Sequence, residues 1–146
     1  MLPILIVDDS PEDRSFAERA FRLNRIRNPI ILIGGGKRCL EYFKGEGEFE
    51  GRELPALVFI DLAMPDVSGV DVLKKVKKTL LGEQSIFVML SGIADLKTVH
   101  KGYLNGAVTF FVKPFEHADL LLLLNNIKGI QTVKTKDGYE LQLSKP

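Results

Sequence analysis

The sequence predicts an α/β fold in which helices cover both faces of a parallel sheet, a three-layer doubly wound arrangement. Short apolar runs bounded by turn residues recur five times along the chain, and a segment with helical periodicity follows each of them. Runs that are apolar on both sides of the pleat are typical of strands buried between two helical layers. Because repeated strand-then-helix units imply right-handed crossovers, the five strands are expected to lie in one parallel sheet.

The strand prediction centres on residues 57–60, which are apolar throughout and deliver Asp61 to the carboxyl end of the strand. Met64-Pro65 then forces the chain to turn. The other runs are rich in β-branched residues, leucine and phenylalanine, and several end in polar residues. The predicted strands cover residues 3–7, 30–33, 57–60, 86–90 and 108–112.

A helix is predicted after each strand. Ser10 can cap the first helix, with Pro11 at its first position, and the apolar stripe of this helix ends near Asn24. The second helix follows three glycines at 34–36 and carries Cys39, and the third carries the apolar positions between 70 and 76. The fourth covers residues 95–105 and stops at Gly106, a residue that favours helix ends, and the fifth covers residues 116–128.

Length and composition limit the classes of protein to consider. The chain has 146 residues, of which 45% are hydrophobic and 27% charged, which is typical of one globular domain. A net charge of +1 gives no reason to expect a nucleic-acid partner. A single cysteine excludes an internal disulfide, and Cys39 is expected to be a buried, inert thiol. No signal peptide is visible, and the leucine run at 120–124 is too short to span a bilayer, so we expect no membrane association and a cytoplasmic location.

Residues 1–128 are interpreted as the domain and residues 129–146 as a C-terminal extension. Two alternating segments of this extension flank Lys136-Asp137-Gly138, a pattern typical of a hairpin. The sequence leaves two placements open, because the extension could pack on the domain or project towards a partner.

Polar residues follow four of the five predicted strands and should meet at one edge of the sheet. They are Asp8, Asp9, Asp61, Ser91 and Lys113. Two carboxylates about 4 Å apart repel each other by about 4 kcal/mol at an effective dielectric constant of 20, so either the pKa values of the three aspartates rise or a cation lies among them. Oxygen ligands favour Mg²⁺, and a metal, a lysine and a hydroxyl together suit a phosphoryl group. Asp61 is the natural nucleophile, since carboxylates can form aspartyl-phosphates; the alternative is that Asp61 only caps the following turn.

Four motifs resemble the receiver domain of two-component response regulators. They are Val-Asp-Asp-Ser at 7–10, Ile-Asp-Leu-Ala-Met-Pro at 60–65, Leu-Ser-Gly at 90–92 and Phe-Val-Lys-Pro at 111–114. The resemblance covers about residues 2–128 and implies a flavodoxin-like sheet with strand order 2-1-3-4-5. The residues around 10–13 and the Gly- and Glu-rich stretch before Leu57 further resemble stand-alone receivers that partner bacterial phytochromes.

The resemblance implies a phosphorelay role. Asp61 would accept a phosphoryl group from a sensor histidine kinase or a phosphotransfer protein and lose it by slow hydrolysis, so the protein would be a signalling switch rather than a metabolic enzyme. Asp9, Asp61 and the main-chain carbonyl of Ala63 would bind Mg²⁺, with Asp8 acting through water. Lys113, with a cis peptide bond to Pro114, would hold the phosphoryl group. Ser91 would move towards that group, coupled to an aromatic switch at Phe110.

Some positions depart from the family pattern. Phe110 stands where tyrosine is frequent, so this switch residue has no phenolic hydroxyl. Ala63 and Ile93, each two residues after a site residue, are apolar where relatives often carry polar groups that orient water. Slow self-dephosphorylation is therefore expected. The glycines at 34–36 lack the downstream Gly-Lys-Ser/Thr of a P-loop, so a flexible start to the second helix is expected instead of a nucleotide site.

Five consecutive leucines on the last helix predict a partner surface. At 3.6 residues per turn they surround the helix, so the sheet can cover only some of them. The alternative is a broad core face that leaves one or two leucines exposed. In receivers the face formed by the fourth helix, fifth strand and fifth helix often dimerises, and we expect a homodimer through it rather than a hetero-partner or no partner. The residues assigned to this face are Val99, Tyr103, Leu120, Leu121 and Leu124.

Two other functions compete with the switch. A Mg²⁺-dependent aspartyl-phosphate phosphatase of the haloacid dehalogenase type would share the nucleophile, but it would carry an acid two residues later, where this chain has Ala63. A receiver-like binding module that is never phosphorylated would not need the acidic pair, Asp61 and Lys113.

Overall fold

The computed structural model describes residues 1–92 and 95–144, and its main sheet contains five parallel strands. The strands are β1 (Ile4–Val7), β2 (Ile30–Ile33), β3 (Leu57–Asp61), β4 (Ile86–Ser91) and β5 (Thr109–Val112). They pair in the order β2-β1-β3-β4-β5. The predicted parallel sheet and its strand order are confirmed. This order places β1 and β3 side by side, with Val7 opposite Ile60, so that the residues following both strands emerge close together.

The helices follow the strands as predicted. They are α1 (Pro11–Leu23), α2 (Gly36–Lys44), α3 (Gly69–Val76), α4 (Leu96–Leu104) and α5 (His117–Asn126). Ser10 caps α1, because its Oγ accepts a hydrogen bond from the Asp13 N–H at 3.2 Å. Asp95 and Glu116, predicted as helical, are instead the N-caps of α4 and α5. A short helix that was not predicted, Leu80–Gln84, follows α3.

The strands place alternate side chains in two hydrophobic cores. Leu5 and Val7 belong to the core covered by α2, α3 and α4, whereas Ile4 and Ile6 belong to the core covered by α1 and α5. Cys39 lies in the first core, where burial raises the pKa of its thiol to about 12. The prediction of a buried, inert thiol is confirmed.

A C-terminal hairpin, β6 (Ile130–Lys134) and β7 (Tyr139–Leu143), lies against the amino-terminal edge of the sheet. Ile130 and Leu141 join the core under α1 and α5. The fully buried side chain of Asn28 donates hydrogen bonds from Nδ2 to the carbonyls of Leu2 and Leu141. Its Oδ1 accepts the Leu141 N–H at 2.8 Å. Of the two placements that the sequence left open, the structure has the extension packed on the domain.

The leucine run on α5 divides between core and surface. Leu120 and Leu124 are buried in the core under α1 and α5. Val99 of α4 is buried in the other core, under α2, α3 and α4. Leu121 and Tyr103 are 47% and 41% exposed. The assignment of Val99, Leu120 and Leu124 to an exposed face is therefore wrong. Residues four apart on a helix share one side, and that side of α5 packs on the sheet. Among the helices of residues 1–92 and 95–144, none has the length and apolarity needed to cross a bilayer.

Candidate functional site

Three carboxylates meet where the ends of β1 and β3 lie side by side. Asp8 and Asp9 follow β1, and Asp61 is the last residue of β3. One oxygen from each of these side chains lies within 4.8 Å of the others. Asp8 and Asp61 are 1% and 3% exposed, whereas Asp9 is exposed to solvent. The cluster thus presents buried negative charge at a site open on one side.

Lys113 follows β5 and brings an ammonium group to these carboxylates. Its Nζ lies 3.0 Å from Asp8 Oδ2 and 3.4 Å from Asp61 Oδ2. A third acid, Asp13 of α1, has its Oδ2 at 2.9 Å from the same nitrogen. The peptide bond between Lys113 and Pro114 is cis, as expected from the sequence.

The charged groups at this edge shift one another's pKa values. Burial, and to a lesser extent the charge of Asp8, raise the pKa of Asp61, although the Ala63 N–H and Lys113 favour its ionised form. Burial alone would lower the pKa of Lys113, but hydrogen bonds to Asp13 and Asp8 and the charge of Asp61 raise it. Lys113 therefore stays protonated, and Asp61 is a carboxylate whose charge is not fully balanced.

The loop after β1 is held in place by hydrogen bonds to Asp8. Its Oδ1 accepts the Ser10 N–H at 3.0 Å, and its main-chain carbonyl accepts a hydrogen bond from the Arg14 guanidinium at 2.7 Å. Ala63 is held to the other strand, because its N–H donates to Asp61 Oδ1 at 3.1 Å. The two acidic loops are therefore fixed relative to the ends of β1 and β3.

Ser91 and Phe110 lie on the β4–β5 side of the site. Ser91 ends β4 and is buried, and its carbonyl accepts the Lys113 N–H at 2.7 Å. Phe110 of β5 is half-buried, and its ring makes an edge-on contact with Tyr103 of α4 at 6.4 Å between centroids. The ring thus connects the strand that leads to Lys113 with the surface of α4. Ile93, an apolar residue where relatives often carry a polar group that orients water, lies outside the described residues.

Asp66 fastens the loop after β3 to the start of α2. Its carboxylate accepts hydrogen bonds from the N–H groups of Gly36 and Lys37 at 3.1 and 2.9 Å. Although desolvation opposes ionisation, these main-chain hydrogen bonds lower the pKa of Asp66. A Cβ on Gly36 would lie 2.7 Å from the Val67 carbonyl, so close packing against this loop accounts for a glycine there.

The donor set at this edge suits a hard divalent cation. Carboxylate oxygens from Asp8, Asp9 and Asp61 are close enough to share one ion, and carboxylates are ligands that Mg²⁺ prefers. Burial and the charge of Asp8 raise the pKa of Asp61, although Lys113 and the Ala63 N–H favour its ionised form, so a cation at this position would stabilise the carboxylate. The residues present therefore fit a Mg²⁺ ion.

Comparison with protein families identifies the class to which this arrangement belongs. Residues 4–125 match the family model of the response regulator receiver domain. The chain belongs to the response regulator receiver family. The receiver includes all five strands of the main sheet and nearly all of α5, and its match stops before the hairpin.

Individual relatives agree with this assignment. The receiver is 32% identical to the two-component response regulator ARR7 of Arabidopsis thaliana, in an alignment covering 97% of this chain and 72% of the relative. Among solved structures it is similar to the bacteriophytochrome response regulator RtBRR, with a TM-score of 0.82, 29% identity and coverage of 94% and 84% of the two chains. It is also similar to the bacteriophytochrome response regulator AtBRR, with a TM-score of 0.75 and 28% identity. That comparison covers 86% of this chain and 91% of AtBRR. The expected resemblance to receivers of the phytochrome group is confirmed.

The structure brings Asp8, Asp9, Asp61 and Lys113 together, and it places Ser91 at the end of the strand next to β3. Three residues that contact the receiver site were missed from the sequence. Asp13 contacts Lys113, Arg14 holds the Asp8 carbonyl, and Asp66 connects the β3 loop to α2. An acid one turn after the acidic pair was visible in the sequence, but acids in the first turn of a helix are common because they interact with the helix dipole.

Proposed function

We propose that this receiver is the phosphoacceptor of a two-component phosphorelay and that Asp61 is the residue phosphorylated. The observation that carries the proposal is a buried carboxylate, Asp61, placed between two further carboxylates and a protonated lysine. In the resting protein the negative charge of the Asp61 carboxylate is not fully balanced by its neighbours. Binding of a cation together with a phosphoryl group would balance it.

The proposed donor is a phosphohistidine on a sensor histidine kinase or a phosphotransfer protein. A carboxylate oxygen of Asp61 forms a new bond to phosphorus while the P–N bond of the donor breaks, and the electron pair leaves on the imidazole nitrogen. Later, a water molecule attacks phosphorus, the aspartyl P–O bond breaks, and inorganic phosphate leaves. Lys113 would interact with the negative oxygens in both steps, because its ammonium already lies 3.4 Å from Asp61.

We assign Mg²⁺ as the cofactor, held by Asp8, Asp9, Asp61 and the main-chain carbonyl of Ala63. When bound, the ion would offset the negative charge of the phosphoryl oxygens. The protein's part is to hold the carboxylates close together without the ion. The hydrogen bonds to Asp8 from Ser10 and to Asp61 from Ala63 support this role.

We further propose that Ser91 and Phe110 transmit the phosphorylated state. Ser91 would donate a hydrogen bond to the phosphoryl group, and Phe110 would move with it. The contact of Phe110 with Tyr103 supports this proposal, because a change of ring position in β5 would alter the surface of α4. The response would be a change in partner binding, so the protein would act as a signalling switch and not as a metabolic enzyme.

Phosphorylation by acetyl phosphate in Mg²⁺ tests the proposed function. We expect intact-protein mass spectrometry to show addition of one phosphoryl group to the wild type and to Asp71→Asn, an exposed aspartate of α3, but none to Asp61→Asn. An aspartyl-phosphate phosphatase would instead release phosphate continuously from phosphomonoesters. A binding module without phosphorylation would leave the wild type unmodified, and either result would overturn the proposal.

The phosphorylated protein is expected to lose its phosphoryl group slowly. Ala63 offers no polar side chain to orient a water molecule beside Asp61. Following the decay of the phosphorylated mass in Mg²⁺ buffer measures this step. Loss within seconds, without any added phosphatase, would contradict the expectation.

A homodimer through α4, β5 and α5 is also proposed, with a corrected set of contacts. Tyr103 and Leu121 remain, and they are joined by other large exposed apolar side chains on these elements, Leu104, Val112 and Leu122. Burying them against a second copy would remove apolar surface from water. Light scattering with and without a phosphoryl mimic, on wild type and Leu121→Asp, tests this. A wild type that stays monomeric in both conditions would contradict it. We also propose a cytoplasmic location.

A further inference from the structure

Lys113 has more acidic partners than the proposed phosphoryl chemistry requires. Its ammonium carries three N–H donors. Two of them are used in hydrogen bonds to Asp13 at 2.9 Å and to Asp8 at 3.0 Å, and the nearest Asp61 oxygen lies farther away, at 3.4 Å. In the resting protein the lysine is therefore held partly away from the residue that would be phosphorylated.

The three acids differ in how easily they can release the lysine. Asp8 is buried and fixed by the Ser10 N–H, so leaving it unpaired would be costly. Asp13 is 43% exposed, and water can solvate its carboxylate when the ion pair opens. Its backbone is anchored in the first turn of α1 by the Ser10 hydroxyl, so Asp13 does not follow the lysine if the lysine moves.

We propose that Asp13 is a positioning residue that holds Lys113 in the resting receiver and is exchanged for the phosphoryl group on phosphorylation. This inference rests on the proposed function, because it assumes that the phosphoryl group is on Asp61. The Asp13–Lys113 pair opposes phosphoryl binding, since the pair must open first. The same pair favours Mg²⁺ binding, because it draws the ammonium charge away from the carboxylates that would hold the ion.

The exchange predicts opposite effects of one substitution on two ligands. In Asp13→Asn the lysine is released towards Asp61 and Asp8. Beryllofluoride, a phosphoryl mimic, should then bind more tightly at saturating Mg²⁺, by about two- to fivefold, the range expected from a partly exposed ion pair. Mg²⁺ alone should bind more weakly, because the lysine now competes for the same carboxylates.

The experiment measures both affinities on the full chain. Mg²⁺ binding is followed by isothermal titration calorimetry, and beryllofluoride binding by ¹⁹F NMR at saturating Mg²⁺. The matched control is Glu12→Gln, which removes the same charge from the adjacent residue. Glu12 and Asp13 both line a cleft of about 190 Å³ beside Lys113, but only Asp13 is hydrogen-bonded to the lysine. We expect this control to leave both affinities near those of the wild type.

The outcomes separate the inference from the function on which it rests. Tighter beryllofluoride binding together with weaker Mg²⁺ binding in Asp13→Asn, with neither change in Glu12→Gln, supports the exchange. Partial unfolding would weaken the binding of both ligands, so it cannot produce these opposite changes. Equal effects of the two substitutions, or weaker binding of both ligands in Asp13→Asn, would overturn the inference and leave the function standing. A wild type that binds no beryllofluoride would overturn the proposed function itself.

Discussion

The two edges of the main sheet bury polar groups in opposite ways. At the carboxyl edge, Asp8, Asp61 and Lys113 form a charged cluster in which the pKa of Asp61 is raised. At the amino-terminal edge, Asn28 is neutral and makes three hydrogen bonds to main-chain groups of Leu2 and Leu141. The buried charge at the carboxyl edge is not fully balanced by its neighbours, whereas the buried amide at the amino-terminal edge has hydrogen-bond partners for both its oxygen and its nitrogen.

This difference separates a binding site from a structural contact. A buried polar group with all its partners stabilises the fold, whereas a buried charge without enough partners destabilises the resting protein until a ligand supplies them. We therefore expect substitutions at the amino-terminal edge to reduce stability. Substitutions at the carboxyl edge should change ligand binding and pH dependence, and some should increase stability.

The largest expected effect is at the amino-terminal edge. Asn28→Ala should lower the free energy of unfolding by about 3 kcal/mol, because buried main-chain groups of Leu2 and Leu141 lose their partners. Urea unfolding followed by circular dichroism measures the change. Asn125→Ala, at an exposed position of α5, is the control and should not destabilise. An equally small effect of both substitutions would mean that the hairpin contact contributes little.

A slightly smaller effect is expected from the cation at the carboxyl edge. Mg²⁺ at roughly 100 times its dissociation constant should stabilise the wild type by about 2.7 kcal/mol. The same urea experiment in Mg²⁺ and in EDTA measures this increment. Asp9→Asn should reduce it, because it removes a ligand. Asn28→Ala should keep it, since distant sites act independently. Loss of the increment in Asn28→Ala would show that the two edges are coupled.

Asp61→Asn should stabilise the metal-free protein on the order of 1 kcal/mol at neutral pH, by removing a repelling buried charge. The pKa of Asp61 is raised in the folded protein from the ordinary value of 3.8. The folded protein therefore binds the proton more tightly than the unfolded chain, and this contribution to stability falls as the pH rises above 3.8. Unfolding of wild type and variant in EDTA should show a difference that shrinks as the solution is acidified. A difference independent of pH would contradict this account.

The smallest effect is expected at Asp66, which has the opposite pKa shift. Asp66→Asn should destabilise by about 0.5 kcal/mol, because an ionised carboxylate at the start of a helix is favoured over a neutral amide. The pKa of Asp66 is lowered, so its stabilisation is present above the unfolded value and lost as the pH falls through the folded one. Unfolding at neutral and acidic pH measures it, with Asp137→Asn at the exposed hairpin tip as the control. A destabilisation that grows towards acid pH would contradict the assignment.

Most of the site could be predicted because of a simple property of parallel sheets. Asp8, Asp61 and Lys113 each follow a recognisable apolar strand, and the carboxyl ends of such strands share one edge. Asp13 could not be assigned in this way, because an acid after a capping serine already has an adequate local explanation. Five adjacent leucines surround α5 and therefore do not indicate which side of the helix faces the sheet. The sequence could not distinguish buried Leu120 from exposed Leu121.

The sequence by itself determined the strand-helix alternation, the doubly wound class and the edge at which the charged residues meet. These follow from local periodicity and from chain direction, which short segments encode. The tertiary structure alone decided that Lys113 is shared with Asp13, which leucines of α5 are buried, and that the hairpin docks on Asn28, 113 residues before Leu141. Such contacts depend on how distant elements are placed against one another, and no local pattern contains that placement.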